Sequence, residues 1–142
     1  MTGVQTCALP ICATYSVSKG AKKRSNQTIK STTPDKNAVL VKNGASTELV
    51  NATLLKSGSD SNGDNCNFYG LNSSLLAIGK KSKAMISKSS ISSTSTGSNG
   101  LFATDHARIY ANNTKITTKK GDNSRGLDAT TQIGRASCRE RV

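Results

Sequence analysis

One alternation of apolar and polar positions recurs three times along this chain: VLVKNGASTELVNATL at 39–54, LAIGKKSKAMISKSSI at 76–91 and LFATDHARIYANNTKI at 101–116. The three segments align without internal gaps, at offsets of 37 and 25 residues. In that register apolar or small side chains form columns: Val39, Leu76 and Leu101; Val41, Ile78 and Ala103; Ala45, Ser82 and Ala107; Thr47, Ala84 and Ile109; Leu49, Ile86 and Ala111; Leu54, Ile91 and Ile116. Within a segment most of these positions are two apart, the spacing that puts side chains on one face of a strand. Each segment therefore predicts two short strands and a third, near 39–41, 45–49 and 54 in the first copy. Helix is a poor competitor, because the segments are rich in Ser, Thr and Asn and lack an i, i+3, i+4, i+7 stripe. The columns predict Ile78, Ile86, Ile91, Leu101 and Ile116 as core residues.

After each copy comes a polar stretch that ends in Gly-Leu: GDNCNFYGL from Gly63, GSNGL from Gly97 and GDNSRGL from Gly121. Gly and Asn accept the left-handed backbone of sharp turns, so a turn is expected at the same place in every repeat. Asn65, Asn99 and Asn123 in those turns would then stack as an amide ladder. An earlier, degenerate copy is visible at Asn26-Gln27-Thr28-Ile29, with Lys22-Lys23-Arg24 where core residues would fall. Repetition at about 25 residues, with three strands per repeat, predicts a parallel β-solenoid in which each coil adds one strand to each of three stacked sheets, rising ~4.8 Å per rung. The 12 residues by which the first offset exceeds the second form a loop near 58–70.

These columns and the Gly-Asp-Asn turns resemble the right-handed parallel β-helix repeats of large bacterial secreted and surface proteins, adhesin-like ones among them. The resemblance covers most of 39–130. It implies an all-β, right-handed parallel β-helix of about three to four coils, an uncapped fragment of a longer solenoid in an extracellular or cell-surface protein. The two ends resemble something else. Residues 1–11 and 133–142 are similar to conceptual translations of the two standard short-read sequencing adapters that flank a library insert. On that reading 1–12 and 132–142 are adapter-derived and non-native, 13–38 form a degenerate N-terminal coil, and 39–131 form the solenoid coils. The end segments are expected to pack poorly, since nothing selected them to fit.

Removing them changes the chemistry of the chain. The sequence has 20 Lys and Arg against 8 Asp and Glu, a net charge of +12. Loss of Arg135, Arg139, Glu140 and Arg141 lowers it by two, to +10. Scattered lysine on a Ser, Thr and Asn background with few aromatics reads as a solvated face, so no nucleic acid is expected as a partner. Of the four cysteines, Cys7, Cys12 and Cys138 fall in the ends and leave Cys66 alone, too few for a disulfide framework or a metal cluster. The signal-like CALPICA lies in the same end, and no apolar run approaches the ~18 residues that span a bilayer, so no membrane insertion is expected.

Two functions compete on such a scaffold. A structural or adhesive segment would use no catalytic residue, cofactor or metal and would present loops to a glycan or another cell-surface component. A polysaccharide lyase or glycoside hydrolase would need clustered carboxylates with a basic residue beside them. Asp64 and Asp122 sit in equivalent turns two rungs apart, with Ser98 between them, a separation of roughly 10 Å that suits turn formation better than paired carboxylate chemistry. His106 lies in a polar bend without evident catalytic neighbours, and Arg108 and Arg125 are exposed-type arginines. The adhesive reading is therefore preferred. It places candidate recognition in the long loop, at Asp64, Asn65, Asn67, Phe68 and Tyr69, where amide and aromatic side chains can bond and stack on sugars. End-to-end association of uncapped coils is a further expected contact.

Overall fold

A computed structural model describes residues 12–34, 36–58, 72–94, 98–119, 126–129 and 135–139. It contains strands and no helix among those residues. The first coil comprises β1 (Cys12–Val17), β2 (Ala21–Ser25) and β3 (Thr28–Ser31). The second comprises β4 (Lys36–Val41), β5 (Ser46–Val50) and β6 (Thr53–Lys56). Then follow β7 (Ser73–Ile78), β8 (Lys83–Ser87) and β9 (Ser90–Ser93), and β10 (Asn99–Thr104), β11 (Arg108–Asn112) and β12 (Lys115–Thr118). Two last strands, β13 (Leu127–Ala129) and β14 (Arg135–Arg139), begin a fifth turn.

Every third strand stacks on its predecessor. Sheet A is ordered β1-β4-β7-β10-β13, sheet B β2-β5-β8-β11-β14 and sheet C β3-β6-β9-β12, and all the pairings are parallel. The fold is a parallel β-helix. Parallel strands joined by corners of a few residues are possible here because the chain must travel around the coil before it returns to the same sheet.

The core fills the inside of the coil with the predicted columns of sheets B and C. Thr47, Ala84 and Ile109 are paired in register, as are Leu49, Ile86 and Ala111, and all six are buried. Leu54 and Ile91 are paired in sheet C and buried, whereas Ile116 at the far end of that column is only partly buried. Ile116 thus departs from the expectation of a core residue.

Sheet A departs by one residue. Val39 pairs with Leu75, not Leu76, and Val41 with Ala77, not Ile78. The core columns are Val39–Leu75–Leu101 and Val41–Ala77–Ala103. Leu76 and Ile78 lie instead with Leu40 and Phe102 in a second apolar cluster on the opposite face of the sheet, where Ile78 is partly buried. The cause is the corner after β7. It runs five residues from Ala77 to Ser82, against four from Val41 to Ala45 and from Ala103 to Ala107, and Gly79 takes up the extra residue at φ 101°. A slip of one residue sends a side chain to the other face of a strand, so gapless alignment of the repeats misassigns β7 alone.

Left-handed corners recur among the described residues, while most of the expected turn residues, 63–71, 97 and 121–125, lie outside them. Between sheets B and C each coil turns on one residue with positive φ: Asn26, Asn51, Lys88 and Asn113. Asn51 Nδ2 donates to Asn26 Oδ1 at 2.6 Å, so the first two coils begin an amide ladder at this corner, which Lys88 interrupts in the third. Asn99, predicted for a turn ladder, is instead fully buried within β10, and its predicted ladder partners Asn65 and Asn123 lie outside the described residues.

The degenerate first copy is a complete coil. All five residues of β2 are exposed, yet Lys22 pairs with Thr47 and Arg24 with Leu49, in the positions that face the core in later coils. The Arg24 guanidinium lies 4.6 Å from the centroid of the Tyr15 ring, a cation–π contact in place of aliphatic packing. At the other end, the backbone of β14 pairs with β11 from Arg108–Arg135 to Asn112–Arg139. The end segment at 135–139 thus extends sheet B through its backbone. The open edge of a parallel sheet offers backbone donors and acceptors, and these bind any extended chain whatever its side chains.

Candidate functional site

The residues singled out for recognition, Asp64, Asn65, Asn67, Phe68 and Tyr69, lie outside the described residues, as do Cys66, Asp122 and Arg125. What is defined is the base from which that excursion leaves. Asn72 Nδ2 donates to the Gly58 carbonyl at 2.9 Å, tying exit to return. Lys56, 1% exposed, points its Nζ into backbone carbonyls, donating to Thr33 at 3.0 Å, to Ser57, and at 3.4 Å to Gly58. Its pairing partners in the column, Ser31 and Ser93, are small and also buried, so the long side chain has room to turn toward the corner.

A second region is defined throughout. The outward face of sheet B is open, and its columns read Ala21–Ser46–Lys83–Arg108 and Lys23–Glu48–Met85–Tyr110. Met85 and Tyr110, 37% and 41% exposed, are the exposed large apolar side chains among the described residues, and they are directly paired.

Beside this face runs the corner between sheets A and B. The second coil turns there through Asn43 and Gly44, the third through Gly79 and Lys81, the fourth through Asp105 and His106, each with positive φ. Asn and Gly adopt that backbone readily, whereas other residues lose roughly 1–2 kcal/mol in it. The third coil accepts that cost at Lys81 and the fourth at His106, which sets ionisable side chains on the corner. Buried Ser82 accepts a hydrogen bond from the Gly44 backbone N–H at 2.9 Å and holds neighbouring corners together.

The result is a groove of about 480 Å³ lined by Ser46, Lys80, Lys81, Lys83, His106 and Arg108, with Ser82 at its floor. A shallower depression of about 180 Å³ shares Ser46 and Lys83 and continues past Lys22, Lys23, Glu48 and Met85. Together they make one basic track along the side of the stack. A larger groove, about 850 Å³, follows the corner between sheets B and C, where Asn51, Lys88, Asn113, Lys115 and Ile116 are among its lining residues. No group of three or more His, Cys, Asp or Glu side chains stands together among the described residues.

Of the residues noted in the sequence, the fold brings His106 and Arg108 into this track. It adds Lys80, Lys81 and Lys83, which linear inspection reads as scattered surface lysine. The available signal was the position one before each core column of sheet B: Ser46, Lys83 and Arg108 precede Thr47, Ala84 and Ile109 and must face outward together. No protein-family model, curated protein or solved structure matches the chain.

Proposed function

We propose that this chain is a non-catalytic structural or adhesive segment of a larger bacterial surface or secreted protein, which contacts a glycan or another cell-surface component. The observation that carries the reading is a stack of coils whose sheet B presents Tyr110 and Met85 outward beside the paired cations Lys83 and Arg108. Strands held above and below by parallel partners fix such side chains in a plane, and added coils lengthen the surface without changing its design. Weak contacts repeated along a rod then sum to useful avidity. The likeness of the repeats to those of bacterial surface proteins supports an extracellular or cell-surface location, and the likeness of 1–11 and 133–142 to adapter translations supports treating 1–12 and 132–142 as non-native.

Beads coated with the protein are expected to retain glycan-bearing cells or an immobilised glycan, and to release no reducing or unsaturated sugar from it. Release of such products would favour the alternative, a fragment of a polysaccharide lyase or glycoside hydrolase. That reading has one foothold, His106 beside Arg108 and Lys80 in the groove, since β-elimination from a uronate needs a base next to cations. If it held, His106→Ala would abolish turnover while leaving retention intact.

A further inference from the structure

We infer that the basic track on sheet B is a binding site for a linear acidic polysaccharide, one that carries carboxylates or sulfates on successive sugars. The inference rests on the adhesive reading and names its ligand class.

Three features carry it. The first is convergence of charge. Lys22 and Lys23 stand in the first coil and Lys80, Lys81 and Lys83 in the third, yet all line one continuous track with Arg108, and Glu48 is the one carboxylate among the lining residues. The second is spacing. Lys83 and Arg108 are paired on adjacent rungs and point the same way, which sets cations ~4.8 Å apart along the axis. That step suits one charge per sugar of an extended chain, and is coarser than the one charge per ~3.4 Å of a single strand within duplex DNA. The third is Tyr110, two residues from Arg108 on the same face and 41% exposed, with its ring available to one sugar. A track for single-stranded nucleic acid would instead offer successive aromatics to successive bases.

The experiment measures binding of the full chain to polygalacturonate, to neutral dextran and to a single-stranded oligonucleotide over a range of salt. The prediction is salt-dependent binding to polygalacturonate, none to dextran, and weaker binding to the oligonucleotide. A triple variant, Lys80→Ser, Lys81→Asn and Arg108→Ser, should bind polygalacturonate about a hundredfold more weakly, at roughly a factor of five per cation removed. Asn at 81 keeps the left-handed corner, and circular dichroism checks the fold. A control variant of equal charge change on sheet C and its corners, Lys30→Ser, Lys88→Asn and Lys115→Ser, should bind as the parent does. Equal loss in both variants would overturn the site, because net charge alone would then explain binding. Equal or tighter binding of the oligonucleotide would overturn the ligand class. Adherence to cells without any polyuronate binding would sink this inference and leave the adhesive reading standing.

Discussion

Lys56 is among the largest fully buried side chains of the described residues, and its ammonium group is held by carbonyls of the corner where the long excursion departs and of the corresponding corner one coil earlier. Lys56→Met removes the donor to the part-buried Thr33 and Ser57 carbonyls, while the Gly58 carbonyl keeps its bond from Asn72. Its expected cost is about 1–3 kcal/mol for each acceptor left unsatisfied, read from urea unfolding. Neighbouring residues of β8 give a sharper contrast, because strand alternation sends Ile86 inward and Met85 outward. Ile86→Ala should lose about 2–5 kcal/mol through the cavity it leaves, and Met85→Ala should stay within about 0.5 kcal/mol of the parent. Ile86→Asp should prevent folding, visible as loss of the β signal in circular dichroism. Gly100 is a third informative residue: a Cβ there would lie 2.6 Å from the Gly126 carbonyl oxygen and 2.7 Å from Ile116 Cγ2. Gly100→Ala therefore forces the two uppermost coils apart, and a loss of about 1–3 kcal/mol is expected in the same measurement.

At the scale of the element, the strands are ordinary and the corners decide. Asn26, Asn51 and Asn113 hold the left-handed corner between sheets B and C, while the third coil places Lys88 there. Lys88→Asn supplies a residue that tolerates this backbone and a side chain that can join the ladder. It should raise stability by about 0.5–1 kcal/mol, seen as a higher thermal midpoint. Asn51→Ala should do the opposite, since it loses both the conformational fit and the 2.6 Å bond to Asn26. The corner after β7 explains why strand existence was legible and strand register only partly so. Hydrophobic alternation marks Leu75, Leu76, Ala77 and Ile78 as strand, but apolar residues occupy both faces of this sheet, so the pattern does not say which ones point inward. The residue count of the corner says it, and Gly79 supplies that count.

For the whole molecule, stability is a sum of coils and of the interfaces between neighbours. Removal of 132–142 takes away β14, which closes one edge of sheet B against β11. Because sheets A and C keep their strands, a small shift in urea midpoint is expected, together with more self-association through the freed edge, measured by light scattering. A large fall in midpoint would show that this segment is integral to the stack. The sequence by itself determined that the chain is all-β, that its strands come in threes, and that Leu49, Ile86, Leu54 and Ile91 share one interior, since period-two alternation is local and recurs with each coil. Only the tertiary structure decided the face taken by Leu76 and Ile78, the burial of Lys56, and the meeting of Lys22 and Lys23 with Lys80, Lys81 and Lys83 on one side. Those outcomes depend on where each corner turns in space and how many residues it spends there, which the hydrophobic pattern of the strands does not record.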